Sequence, residues 1–437
     1  MHGTDLGISV NSFRSTENTI RAPVFGINPN RRPPVRGHDP AHNAFSPKSG
    51  SWTLRWCFVS PGYRSTQVLA GDSRSSGGAE AQIAHLAAAL AGLGHEVSLI
   101  YGDGQTQSLS KIGGVSCIAA APAWRLPASL PAFWRAMDTL RPDVLYARLP
   151  TDFIWLMGLF ARSRRNTRFI YALANDVHCT AWTAYDHKKW FHAPLFSLGM
   201  RSTDVIAVQH HQQSAMLNPR LRERSAHVPN LVRSVSEHPR VYDTATIDAI
   251  WIAKIRTSKQ LHLFLDLAEA LPRLRFAVVG GFDPTVSSTV KVALEERIRG
   301  LKNLTFYGPK RDNEVMALLS KAKALVNTSS VEGFPNTMLE AWSIGVPVVS
   351  LSVDPGGVIE QKGIGFVSRT MTQLVHDVDT IVRTKSLNQR CGELALSYVR
   401  RQHSLEAVCR ALERALPGVQ LGRCPTWNVA TPSLDRS

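Results

Sequence analysis

Glu332 and Glu340 stand with seven residues between them, in a run that opens Ser329-Ser330-Val331 and closes Val348-Val349-Ser350. The apolar stretch Ala324-Leu325-Val326 reads as a buried parallel strand leading into the turn that carries Glu332. Pro335 suits the first position of the helix that follows, where its missing N–H costs nothing. Gly345 and Pro347 stop that helix, and 347–351 reads as a second buried strand. One carboxylate then falls just before the helix end and the other about one turn inside it. Such an end presents free backbone N–H groups and a positive dipole to an anion. The arrangement suits a nucleoside diphosphate joined to a polyhydroxyl group. The amides of Phe334, Asn336 and Thr337 would face phosphate, with carboxylates accepting hydroxyl hydrogen bonds on either side.

The elements around this run predict its setting. Trp56 to Ser60 reads as a strand, and Gly77-Gly78-Ala79-Glu80 opens an Ala/Leu-rich helix that ends at Gly92-Leu93-Gly94. Further strands are expected at 96–100, 143–147, 169–172 and 204–208, and the pattern restarts with 250–253, 276–281, 304–308 and 363–367. Strands alternating with helices predict two successive doubly wound parallel sheets, an α/β architecture. The expected organisation is a basic, aperiodic extension over 1–51, a first domain over 52–235 and a polar linker over 236–246. A second domain over 247–402, a helix over 403–417 packing back on the first domain and a loose tail over 418–437 complete it.

The chain has 437 residues, long enough for two cores, with 44% hydrophobic and 19% charged residues. Its net charge of +16 favours polyanionic partners without choosing among them. Six scattered cysteines without a CxxC pair argue against zinc ribbons and disulfide frameworks and fit a reducing, cytoplasmic setting. No run reaches the ~18 apolar residues of a spanning helix.

With these pieces in this order, the sequence resembles the retaining glycosyltransferases of family 4, of the GT-B type, over about residues 54–415. The resemblance rests on the two glutamates around Gly333-Phe334-Pro335-Asn336, on Gly77-Gly78-Ala79-Glu80, on Gly94-His95-Glu96-Val97, and more weakly on Pro142-Asp143-Val144 and Val228-Pro229-Asn230. It implies two facing Rossmann-like domains with a cleft between them and transfer of a sugar from a nucleotide-sugar to a glycan or lipid-linked acceptor. UDP- or GDP-sugars are the implied donors, and no metal or other cofactor is required. Glu340 would receive the ribose hydroxyls and Glu332 the donor sugar. Lys254 and Lys259 fall where the family carries Arg and, five residues later, Lys. Cations there would stabilise the charge that grows on the departing diphosphate. Lys254 cannot make the bidentate contact of an arginine. Gly77 and Gly78 would let backbone approach the donor. Relatives carry a His-Asp pair where this chain has Asn175-Asp176, so Asp176 becomes a contact to the donor sugar and His178 a group touching or deprotonating the acceptor.

Other motifs carry less. His210-His211 lacks spaced metal-binding partners and reads as a solvated pair. Asp377-Val378-Asp379 lies in a helical stretch and reads as a solvated face rather than a metal site. Phe153 to Phe160 followed by Arg162, Arg164, Arg165 and Arg168 reads as a core helix with a basic end, compatible with peripheral contact to the inner face of an anionic membrane. Two readings compete: a glycosyltransferase of polysaccharide or glycoconjugate synthesis, and a catalytically silent nucleotide-sugar-binding scaffold of the same fold. Nucleic-acid binding would rest on charge alone, without a zinc, RRM or helix-turn-helix pattern.

Overall fold

The computed structural model describes residues 53–72, 74, 76–102, 109–120, 129–150, 153–164, 166–180 and 192–422. The extension expected over 1–51 and residues 423–437 of the tail lie outside them. The described residues belong to one compact unit, Phe45–Ser437.

Two sheets form the frame. The first contains β1 (Arg55–Ser60), β2 (Glu96–Gly102), β3 (Leu109–Ile112), β4 (Val115–Ala120), β5 (Val144–Ala147), β6 (Arg168–Ala172), β7 (Val205–Val208) and β8 (Ser225–His227). Its order is β3-β4-β2-β1-β5-β6-β7-β8, parallel except where β3 meets β4. The second contains β9 (Ile247–Ile252), β10 (Phe276–Val279), β11 (Leu304–Gly308), β12 (Ala322–Asn327), β13 (Val348–Ser350) and β14 (Gly365–Val367), in the order β11-β10-β9-β12-β13-β14.

Both sheets carry a core on each face, which is why their central strands are apolar runs rather than alternations. Trp56 and Phe58 of β1 join one core, with Ile83, Leu86 and Leu90 of the Gly78–Gly92 helix. Cys57 and Val59 point to the other, with Met157 and Phe160 of the Ile154–Ser163 helix. Most of the apolar part of that helix is therefore core, with Leu159 left exposed. In the second sheet Trp251 and Val326 pack on one side with Phe264 and Leu374, while Ile250 and Leu325 pack on the other with Met338 and Trp342.

The chain crosses between sheets through Asn230 to Thr246, and this stretch is bonded along its length. Val228 and Leu231 belong to the first core, whereas Val232 and Val235 pack on the second. Ser236 N–H donates to the Ser343 carbonyl and Arg240 N–H to that of Ile344, each at 2.9 Å. The Leu405–Ala415 helix returns to the first sheet, where Leu405, Val408, Cys409 and Leu412 join the core of β1 and β2.

Two sequence expectations are corrected. Asp377 is not on a solvated face: it is buried and accepts hydrogen bonds from Ser368 Oγ and Gln373 Nε2. Asp379 is half-buried and pairs with Arg383 at 2.6 Å. The polar sequence around Asp377 hid a helix face turned to the Ser368 loop. The second correction concerns His210. It is buried because it begins the His211–Met216 helix at the inner end of β7, while His211 alone is exposed.

Candidate active site

In parallel sheets the functional ends are the carboxyl ends of the strands, and here those of the two sheets face one another. From the second lobe, β12 runs into Thr328–Pro335 and then the Asn336–Trp342 helix. Pro335 occupies the cap, one residue earlier than expected, with the extended ψ of 124° that proline favours before a helix. The helix stops as its sequence demands. Gly345 takes φ +75°, and its N–H and that of Val346 reach back to the Trp342 and Ala341 carbonyls.

Glu332 and Lys259 form an ion pair, with side chains only 11% and 13% exposed. They are held together by backbone. Thr328 Oγ1 donates to the Lys259 carbonyl at 2.8 Å, and Ser330 N–H to that of Ser258 at 2.9 Å, tying the Thr257–Lys259 turn to the end of β12. Burial pushes the Lys259 ammonium below its usual range, and the Glu332 carboxylate opposes that shift. Lys254 is also pushed down, first by burial and then by Arg64 of the opposite lobe, against the pull of Asp283 and Glu80. Arg64 itself approaches Glu80 at 3.9 Å.

Glu340 lies one turn into the helix, away from Glu332, in a group formed by Asp312, Arg233 and His85. Burial raises its carboxyl to about 8, Asp312 adds to the rise and Arg233 counters it. Arg233 pairs with Asp312 at 2.7 Å, and His85 Nε2 of the first lobe lies 3.9 Å from the same carboxylate. Burial and Arg233 hold His85 down to about 4.

Several expected donor contacts turn out to hold the lobes together. Asn336 Nδ2 donates to the Gly78 carbonyl at 2.9 Å, and its Oδ1 accepts from Gln82 and Asn230. Asn230 also donates to the Phe334 carbonyl at 3.1 Å, and the Phe334 ring packs on Trp342 and His403. Gly333 sits so close to the first lobe that a Cβ there would fall 2.2 Å from Gln209 Oε1 and 2.9 Å from the Ala174 carbonyl. Gly77 and Gly78 cap and open the Gly78–Gly92 helix, and Glu80 folds back over Gly77. Thr337 stands in the first turn of the Asn336–Trp342 helix, half-buried.

A cavity of about 670 Å³ lies between the lobes, lined by Asp176, His210 and Met216 on one side and Ser330, Glu332, Gly333 and Asp354 on the other. Asp176 accepts from Gln213 Nε2 at 2.9 Å and lies 3.2 Å from His210 Nε2. His178 belongs to the same turn, Asp176–Cys179, but does not line this cavity. Its imidazole is held down to about 4 by burial and next by Arg148, so it is neutral at pH 7. Glu332, Gly333, Asp176 and, through its ion pair, Lys259 thus converge. Lys254 stands nearer the Gly77 loop, and Glu340 forms a separate group behind. Among the described residues no cluster of three or more His, Cys, Asp or Glu is placed to hold a metal ion.

Sequence reasoning missed Arg64, Arg148, Gln209, His210 and Gln213. Arg148, Gln209 and His210 directly follow first-sheet strands, and that position was the available signal.

Comparison with known proteins supplies relatives for both lobes. Residues 77–230 match the family described as "Glycosyl transferase 4-like domain", and residues 247–383 match "Glycosyl transferases group 1". "Glycosyltransferase 1 domain-containing protein 1" of Xenopus tropicalis is 26% identical over 147 residues, 33% of this chain; the alignment spans 41% of that protein's length. The fold is similar to sucrose-phosphate synthase from Thermosynechococcus elongatus, with a TM-score of 0.64 at 17% identity over 82% of this chain and 96% of the other. It is also similar to HepE of Anabaena in complex with UDP-glucose, with a TM-score of 0.60 at 13% identity over 83% and 99% of the two chains.

Proposed function

Because the chain belongs to the glycosyl transferases group 1 family and is a GT-B glycosyltransferase, we propose that it moves a sugar from a nucleotide-sugar, UDP- or GDP-linked, to a glycan or lipid-linked acceptor with retention at the anomeric carbon. The observation that carries this reading is the Lys259–Glu332 pair at the wall of an inter-lobe cavity. In it Glu332 faces the donor sugar and Lys259 stands where a departing diphosphate needs a cation. Lys254 adds charge from the same lobe. The amides around Gly333 to Thr337 and the glycines Gly77 and Gly78 line the diphosphate, and Glu340 takes the ribose. Asp176, oriented by Gln213 and His210, contacts the donor sugar, and His178 stands on the acceptor side.

A buried carboxylate paired with a lysine is poised to exchange that partner for sugar hydroxyls when donor arrives. The lysine is then released toward the growing negative charge. Differential interaction of this kind lowers the barrier rather than merely improving binding. Because His178 is neutral at pH 7, a proton-accepting role is open to it.

The cell setting belongs to the same reading. Among the described residues four cysteines, Cys57, Cys117, Cys179 and Cys391, are buried and form no disulfide, which fits a reducing compartment such as the cytoplasm. No helix among the described residues is long and apolar enough to cross a membrane. Leu159, Leu195 and Leu198 are exposed beside Arg162, and we include peripheral contact with an anionic membrane. A role in polysaccharide or glycoconjugate synthesis follows from the acceptor classes.

The test is turnover. The purified chain is incubated with UDP-, GDP-, ADP- and dTDP-sugars, and released nucleoside diphosphate is measured with and without glycan and lipid-linked acceptors. Acceptor-stimulated release from one donor is expected, with the donor's anomeric configuration kept in the product as read by NMR. Binding without release from any donor would identify a silent nucleotide-sugar-binding protein instead.

A further inference from the structure

The strand β5 delivers Arg148 to the face of the first lobe that meets the second. Arg148 is only 5% exposed. Its Nη2 donates to Asn230 Oδ1 at 2.5 Å and its Nη1 to the Tyr146 hydroxyl at 3.4 Å, while its Nε is buried without a partner. Both partners are neutral. Among the described residues no carboxylate is within ion-pair distance of this guanidinium. The nearby His178 brings no compensating charge, and its Nδ1 is likewise buried without a partner.

An arginine cannot shed its proton to escape burial. An uncompensated buried cation is strongly unfavourable, and a purely structural role at Asn230 would be served by a neutral amide. The site is therefore incomplete without an anion. Its place excludes the obvious one. The diphosphate has Lys254 and Lys259, both on the second lobe just after β9. Arg148 belongs to the first lobe. It is separated from the Phe334 carbonyl and the Asn336–Trp342 helix by the Asn230 side chain, which bonds both. The planar fork of a guanidinium matches the geometry of a phosphate or carboxylate.

We propose that Arg148, with His178 Nδ1 beside it, binds an oxyanion carried by the acceptor, so that the acceptor is an anionic molecule, phosphorylated or carboxylated, rather than a neutral glycan. This rests on the glycosyltransferase reading and narrows its acceptor. In the tautomer that protonates Nδ1, His178 donates to the same oxyanion, and the two residues fix the acceptor's orientation before transfer.

The experiment is calorimetric titration of the full chain, saturated with whichever of UDP or GDP binds more tightly, with inorganic phosphate at constant ionic strength. Phosphate is expected to bind with nucleotide in place. Arg148→Gln should weaken that binding at least tenfold. Arg148→Lys, which keeps the charge but not the fork, should weaken it at least threefold and still answers the question if the glutamine variant does not fold. Failure of phosphate to bind the nucleotide-saturated wild-type chain overturns the proposal without any variant. Binding only to nucleotide-free chain also overturns it, by giving the guanidinium to the donor's diphosphate. So does undiminished binding by both variants. A chain that binds none of UDP, GDP, ADP or dTDP fails the donor reading first and takes this proposal with it, an outcome read separately in the nucleotide titration.

Discussion

Glu340, proposed above to take the ribose, weakens the fold that carries it. Burial raises its carboxyl to about 8, so it holds its proton more tightly folded than unfolded. The unfolded chain releases that proton in the ordinary glutamate range near pH 4.5. Between there and pH 8 the native state binds more protons, and stability falls as pH rises. Above pH 8 the loss is complete. Glu340→Gln removes this liability, so the variant should be more stable than wild type by about 1–3 kcal/mol at pH 8.5 and by much less at pH 5, while binding the donor more weakly. Thermal unfolding at both pH values checks it, and a difference that ignores pH would contradict it. Lys259→Ala should cost at least ~2 kcal/mol in kcat/KM, about thirtyfold, because it removes a cation from the leaving group and strands Glu332. A double-mutant cycle with Glu332→Ala should show strong coupling; simple addition of the two losses would mean that the pair does not act together. The two glutamates could be singled out because their spacing is tied to one strand-turn-helix unit, and the two lysines, which follow β9 instead, only through the family resemblance. Arg148 and His210 were not: their position after a strand was a signal, but only the strand order shows that it turns them inward.

At the scale of elements, the Asn336–Trp342 helix does two jobs at once. Its first residue joins Gly78, Gln82 and Asn230 of the opposite side, so the tip expected to meet the donor is also a clasp between lobes. Asn336→Ala should remove three hydrogen bonds and leave Asn230 and Gln82 less satisfied, at about 1–3 kcal/mol. The lobes should then separate more readily. Small-angle scattering should show a larger radius of gyration, and donor affinity should drop through lost closure even though the glutamates remain. Unchanged scattering and affinity would restrict Asn336 to a cap-side contact. The helix and both flanking strands were readable from Pro335, Gly345 and the apolar runs. The clasp was not, because the partners of Asn336 lie 258, 254 and 106 residues away in sequence. The Asp377 correction has a different cause: Ser368 is only nine residues away, but it reaches Asp377 from the loop before the helix, a contact that the local polarity did not reveal.

Over the whole molecule, chain order and packing order disagree at one place, and that place decides how the lobes depend on each other. The Leu405–Ala415 helix follows the second sheet in sequence but buries Leu405, Val408, Cys409 and Leu412 in the core of the first. Its connection, His403, lies against Asn230 and Phe334 at the junction, with His403 Nδ1 2.8 Å from the Asn230 carbonyl. A lesion in this helix should therefore appear far away in sequence. Leu412, fully buried, is the sharpest probe. Leu412→Ala should cost about 2–5 kcal/mol through lost burial and a residual cavity, and the cost should fall on the first lobe. Amide hydrogen exchange should show β1 and β2 losing protection, although they precede the mutation by some 300 residues, while β9, β10 and β12 keep theirs. Loss of protection confined to the second sheet would mean that the helix belongs energetically to its sequence neighbours. Loss spread evenly over both sheets would mean that the two lobes unfold as one cooperative body, held together by the Asn230–Asn336 junction more strongly than either is held by its own core.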